Sequence, residues 1–132
     1  MAEETLVAET LSSEMIDAGK RLLNSLDPQM PVDAAFWFLP PKSSTWRLVL
    51  ATPAVRIDGP KAVYRKLQGL LKKNQLGPTL SINNISLIDT TDPLVALFRI
   101  ANKTTREVTG IRFTGNTING VFIPDAYIYR IA

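Results

Sequence analysis

The chain has 132 residues, a net charge of +3, and neither histidine nor cysteine. These two residue types supply the commonest general base, the thiol nucleophile and the usual ligands of transition metals, so enzymes and metal sites that depend on them are excluded. We therefore expect a non-catalytic protein without a cofactor or a metal ion. The length fits one domain over residues 1–132, with about residues 1–10 disordered.

The sequence carries no signal for a membrane. Its first residues are Met, Ala, Glu and Glu, without the basic and apolar stretches of a secretory signal peptide. No apolar run approaches the ~20 residues that a membrane-spanning helix requires. We expect no membrane partner and a cytoplasmic location, which the absence of cysteine fits.

Charge is distributed unevenly along the chain. Residues 1–33 contain seven acidic and two basic residues, a net charge of −5, whereas residues 34–132 contain thirteen basic and five acidic residues, a net charge of +8. A basic body of this kind attracts nucleic acid or an acidic protein over a Debye length of roughly 8 Å. The alternative is that the acidic N-terminal helix packs against that body and neutralises it.

Apolar periodicity and turn residues predict eight elements. In chain order they are a helix from Ser12 or Ser13 to about Leu26, strands over residues 32–39 and 46–52, a helix over 60–73, a strand over 80–89, a helix from Pro93 to about Asn102, and strands that begin at Ile111 and span 121–131. Asn119-Gly120 is the predicted turn of the last hairpin, with Gly115-Asn116 as the competing turn.

The order α-β-β-α-β-α-β-β predicts the fold class. Hairpins at both ends favour a largely antiparallel or mixed sheet of about five strands, with about three helices packed on it. The predicted fold is a single layered α+β domain. Pro124 within the last strand indicates a bulge or an edge position there.

The helix over residues 60–73 carries five basic residues and no acid. At 100° per residue, Lys61, Arg65 and Lys72 share one arc, and Lys66 and Lys73 flank it. One interpretation is a solvated face, whose charges near the C-terminal end suit the helix dipole. The other is a surface that binds nucleic-acid phosphates or an acidic protein.

The C-terminal segment is rich in hydrogen-bonding side chains. Simple alternation predicts Tyr127 and Tyr129 on one face of the last strand and Arg130 on the other. Aromatic rings beside arginines stack bases in single-strand and RNA binders, so Arg112 and Tyr127 are candidate nucleic-acid contacts. The alternative is that the tyrosines belong to the core, with their hydroxyl groups at its rim.

The first predicted strand is apolar on both faces. Phe36, Trp37 and Phe38, together with Trp46 in the next strand, would be partly exposed if helices covered only one face of the sheet. Either the helices divide between both faces, or these four residues form a protein interface, as in a homo-oligomer.

Two other positions are interpreted as structural. Pro60 and Asp58 at the start of the basic helix favour a helix cap over an anion site. Asp89 and Asp92 stand where Mg²⁺ could bind, but Asp92 fits a helix N-cap and no third acid is nearby in the sequence.

The sequence thus favours a non-catalytic binding module or accessory subunit that contacts nucleic acid or a nucleoprotein partner through the basic helix. The alternative is a protein–protein interaction or homo-oligomerisation module whose positive charge serves only solubility. The candidate residues for contact with nucleic acid or a partner are Lys61, Arg65, Lys72, Lys73, Arg112 and Tyr127.

Overall fold

The computed structural model describes residues 10–101 and 107–132. Most of the predicted disordered segment and Asn102, the predicted end of a helix, therefore lie outside the described residues. The elements are α1 (Ser13–Leu26), β1 (Ala34–Leu39), β2 (Arg47–Ala51), α2 (Ala54–Ile57), α3 (Pro60–Lys73), a 3-10 turn (Ile82–Asn84), β3 (Ile85–Ile88), α4 (Pro93–Ala101), β4 (Ile111–Ile118) and β5 (Val121–Ile131).

The five strands form one mixed sheet in the order β3-β2-β1-β5-β4. Three neighbouring pairs are antiparallel, whereas β2 and β3 are parallel and are connected through α2 and α3. The predicted α+β class and the predicted order of elements are confirmed. The sequence did not predict α2, a single helical turn between β2 and α3.

Helices cover both faces of the sheet. On one face, α1 and α3 enclose a core that includes Trp37, Leu48 and Leu50. On the other face, α4 packs over Phe36, and the ring of Phe98 lies 4.5 Å from that of Phe36. The sequence left open whether the helices divide between the two faces, and the structure shows that they do.

A buried chain of hydrogen bonds joins α1 to the sheet. Trp37 Nε1 donates to the hydroxyl oxygen of Tyr129 at 3.0 Å, and that hydroxyl donates to the carbonyl oxygen of Ile16 at 2.5 Å. A Cβ atom on Gly19 would lie 2.5 Å from the Tyr129 oxygen and 3.0 Å from Trp37 Nε1. Glycine at this position therefore lets α1 approach the sheet closely enough for both hydrogen bonds.

A β-bulge in β5 changes the face on which Arg130 lies. Ala35 pairs with Arg130 and Phe36 pairs with Ile128, which leaves Tyr129 as an extra residue between the two pairs. The side chain of Arg130 consequently points to the α1 side, the same side as Tyr129. The prediction of opposite faces for these two residues was wrong, because alternation fails at a bulge.

The alternation of β5 is also interrupted at Pro124. Ile123 and Ala126 are three residues apart, yet both belong to the core beneath α4. The pairing of β5 with β1 ends where Asp125 meets Leu39, so Pro124 lies beyond β1, at an edge position. The prediction of an edge position or a bulge at this proline fits the observed pairing.

The β4–β5 hairpin turns at Asn119 and Gly120. Their φ angles are 49° and 81°, and positive values at both central residues are typical of a type I′ turn. The competing turn at Gly115-Asn116 is wrong, because both residues lie within β4.

We predict opposite effects of the same substitution at two helical glycines. Gly19→Ala forces a methyl group against Tyr129 and Trp37, which costs about 1–3 kcal/mol of unfolding free energy. Gly69→Ala in α3 meets no atom within 4 Å and stabilises by about 0.5–1 kcal/mol through helix propensity. Urea unfolding of both variants measures the difference, and equal effects would contradict the close contact at Gly19.

We also predict a loss of stability at alkaline pH. Burial raises the pKa of the Tyr129 hydroxyl well above its ordinary value, and the hydrogen bond from Trp37 offsets this only in part. In the unfolded chain this tyrosine loses its proton near pH 10, whereas in the folded chain it keeps it. The free energy of unfolding is therefore unaffected by this group below pH 10 and decreases above it.

Urea unfolding between about pH 9 and 11 tests this prediction. Tyr129→Phe is less stable at neutral pH because it loses two buried hydrogen bonds, but its stability declines less steeply above pH 10. Parallel pH profiles for the wild type and the variant would refute this origin of the decline.

Candidate functional site

The helix α3 is held by its apolar side and by its C-terminal end. At its N-terminal end Gly59 is the N-cap and no side chain caps the helix, so the prediction of a cap from Asp58 was wrong. Pro60 occupies its first turn, and the side chains of Val63, Leu67, Leu70 and Leu71 are buried against the core. At its C-terminal end, the Asn74 side chain donates to Leu70 O at 2.9 Å and to Ser25 Oγ in α1 at 3.1 Å. The opposite side of α3 is therefore presented to solvent on a fixed support.

The exposed side of α3 holds five cations that form no salt bridge with any described residue. Within residues 10–101 and 107–132, the salt bridges are formed by Arg56, Arg112 and Arg130, none of which lies in α3. The α3 cations, which we call the basic surface, are all exposed: Lys61, Arg65, Lys66, Lys72 and Lys73. The structure thus places the predicted candidates Lys61, Arg65, Lys72 and Lys73 together.

The basic surface consists of two rows along the helix. Lys61, Arg65 and Lys72 lie within an arc of about 40°, and Lys66 and Lys73 form a second row about 110° further around. The first row rises about 16 Å from end to end. The second row borders two cavities of about 430 and 310 Å³ between α3 and the segment after α1.

Arg21 extends the basic surface at its C-terminal end. Its Nη2 atom donates to the backbone carbonyl oxygen of Asn74 at 3.1 Å, which brings this exposed guanidinium next to the last turn of α3. Arg21 was not predicted as a site residue, because 53 residues separate it from Asn74 in the sequence. α1 packs beside α3, but among the described residues its exposed acids, Glu14 and Asp17, form no salt bridge with the basic surface.

Arg112 lies apart from the basic surface, on β4 at the opposite edge of the sheet. Its Nε and Nη2 atoms donate to the two carboxylate oxygens of Asp125 at 2.6 and 2.5 Å, and its guanidinium lies 5.4 Å from the ring of Trp46. The hydrogen bond to Asp125 raises the pKa of Arg112. The positive charge of this side chain is therefore balanced within the fold.

Tyr127 lies at the rim of the core rather than on an open face. Its ring is half-buried and meets the ring of Tyr129 edge to face at 5.4 Å. This placement corresponds to the core interpretation of the two tyrosines. The structure does not bring Tyr127 or Arg112 next to the α3 cations.

The four candidate interface residues lie mostly within the core. Phe36, Trp37 and Trp46 are at most 2% exposed, and Phe38 is partly buried with its ring 5.8 Å from that of Phe98. Because helices cover both faces of the sheet, these aromatic side chains pack inside the protein. The interface predicted at these residues is therefore corrected to intramolecular core, apart from the exposed part of Phe38.

The acidic residues around β3 and α4 have structural partners. Asp89 accepts a hydrogen bond from Arg56 Nε at 2.9 Å, and Asp92 Oδ1 accepts one from the backbone N–H of Leu94 at 2.9 Å, as a helix cap does. Over residues 10–101 and 107–132, no three acidic side chains are grouped so that they could hold a metal ion.

Arg130 differs from the α3 cations because it is only 4% exposed. Its two terminal nitrogens donate to the carboxylate of Asp27 at 2.8 and 2.9 Å, and one of them also donates to the carbonyl oxygen of Val32. This paired cation ties β5 to the segment that follows α1. Its role is therefore in the fold, and its charge adds nothing to the basic surface.

Comparison with known protein families, with curated proteins and with solved structures gives no match for this chain. In the part of the chain that the structure describes, no helix combines the length and the apolar character needed to cross a membrane.

We predict that replacement of arginine by glutamine changes the unfolding free energy much more at a buried, paired arginine than at an exposed one. Arg130→Gln leaves Asp27 and Val32 without a cation and lowers the unfolding free energy by about 2–3 kcal/mol. Arg65→Gln on the exposed face of α3 changes it by less than about 0.5 kcal/mol. Chemical unfolding of the two variants tests this difference, and a large loss for Arg65→Gln would contradict its free, exposed state.

Proposed function

We propose that this protein is a non-catalytic binding module or accessory subunit that contacts nucleic acid, alone or in a nucleoprotein, through the basic surface of α3. The observation that carries the proposal is the set of five exposed cations, without acidic partners among the described residues, on one helix that is packed against the core. Phosphates are the ligands that such a surface suits, because each contact releases condensed counterions from the nucleic acid.

The pairing of charges elsewhere supports this choice of surface. Arg56, Arg112 and Arg130 are each paired with an aspartate, and the guanidinium of Arg99 donates to the backbone oxygen of Ala132. Among the described residues, α3 therefore carries the largest group of exposed cations without a salt bridge, with Arg21 beside it, while Lys20 and Lys42 are exposed elsewhere. A polyanion that approaches the protein is drawn towards this side of the molecule.

The rigidity of α3 also favours binding. Its apolar side is anchored in the core, so a partner that contacts the cations does not have to order a loop. The conformational entropy that the protein loses on binding is then mainly that of the lysine and arginine side chains. Interaction with an acidic protein, homo-oligomerisation and a cytoplasmic location stay predictions from the sequence.

The test compares two triple variants that remove equal charge. Replacement of Lys61, Arg65 and Lys72 by glutamine removes the first row of the basic surface, whereas the control replaces Lys20, Lys42 and Arg56, two exposed lysines and an exposed arginine outside α3. We expect the first variant to weaken duplex DNA binding and to flatten the slope of log affinity against log salt by up to ~3 units.

The control variant should keep nearly the wild-type slope, because its cations lie outside the basic surface. Fluorescence anisotropy over a range of salt concentrations measures both quantities, and urea unfolding checks that each variant folds. Equal losses in the two variants would point to net charge rather than to α3. If the wild type binds no DNA or RNA at low salt, the nucleic-acid function fails and an acidic protein becomes the partner to seek.

A further inference from the structure

We infer that the ligand of the basic surface is a nucleic-acid duplex, bound through its phosphates without stacking of bases on the protein. This inference rests on the proposed function and names the class of ligand. The evidence is the placement of the aromatic side chains relative to the α3 cations, together with the other exposed residues of that helix.

Among the described residues, no largely exposed aromatic ring lies on the basic surface. The chain has ten aromatic residues, and all of them lie within residues 10–101 and 107–132. Phe122 is the one that is largely exposed there, at 50%, and it lies on the β4–β5 hairpin, at the opposite edge of the sheet from the strands that α3 connects. Proteins that bind single strands commonly stack successive bases on aromatic rings beside the cations.

The aromatic residue of α3 is engaged in the packing of the helix. Tyr64 is half-buried against the core, and its hydroxyl donates to the carbonyl oxygen of Ile85 in β3 at 3.4 Å. Its ring therefore supports the packing of the helix. The exposed residues of α3 besides the cations are Pro60, Ala62, Gln68 and Gly69, and Gln68 alone among them carries an amide that could read a base edge.

A surface that offers cations but no stacking groups binds most tightly to the ligand with the highest charge density. A duplex presents one negative charge per about 1.7 Å of its axis, and the salt dependence per contact is steeper for a duplex, about −0.9, than for a single strand, about −0.7. The first row spans about 16 Å, so several duplex phosphates lie within reach of it at once. A flexible single strand must also be ordered along the helix without any gain from stacking.

The experiment measures the affinity of the whole protein for four probes at one salt concentration. They are a DNA duplex and an RNA duplex of about 20 base pairs, and one single strand of each of the same length. We expect at least one duplex to bind about tenfold more tightly than its single strand, and two duplexes of unrelated sequence to bind within about threefold of each other.

Two variants make the inference falsifiable at the level of residues. Phe122→Ala should leave every affinity unchanged, whereas Lys66→Gln with Lys73→Gln should weaken duplex binding by removing the second row. Single strands that bind as tightly as duplexes, or that lose affinity in Phe122→Ala, overturn the duplex inference and leave the nucleic-acid function standing. Absence of binding to all four probes instead removes the proposed function itself.

Discussion

The hydrogen-bond chain from Trp37 through Tyr129 to the carbonyl of Ile16 fixes where α1 lies on the sheet, and the rest of that layer depends on it. Gly19 makes the chain possible because any larger residue would hold α1 away from the two side chains. Once α1 is in place, Arg21 and Ser25 meet the C-terminal end of α3, so the position of one helix determines the support of the other. The position of the α3 cations therefore depends on contacts that the buried side of α3 makes with α1 and the sheet.

The two irregularities of β5 place its side chains on the faces of the sheet where they have partners. The bulge at Tyr129 directs two successive polar side chains, the tyrosine and Arg130, towards α1 and the segment after it, where both find partners. The interruption at Pro124 lets Ile123 and Ala126 both pack beneath α4. A strand with strict alternation would leave at least one of these side chains on the wrong face, at the cost of a buried charge or an exposed apolar group.

The elements of this fold are largely readable from the sequence, because their signals are local. Ser12 caps α1, Asp92 caps α4, and Asn119-Gly120 makes the hairpin turn, as expected from residue types alone. The exposure of the α3 cations also follows from helical periodicity. What failed depends on contacts between distant residues: the bulge that reorients Arg130, the pairing of Arg112 with Asp125, and the approach of Arg21 to α3. The apolar strand β1 was ambiguous because its sequence cannot say how many faces the helices cover.

The central place of β5 in the sheet has a consequence for the order of folding. Ala34 pairs with Ile131, so the interior of the sheet joins residues that are 97 positions apart in the sequence. During synthesis, β1 has one open edge until residues 121–131 have emerged from the ribosome, and contacts of such long sequence separation slow folding. The face of β1 that carries Trp37 can meanwhile be covered by α1 and α3, whereas the face that carries Phe36 is covered by α4, later in the chain. Of the five strands of the sheet, β5 comes last in the chain, and it joins β1 to β4.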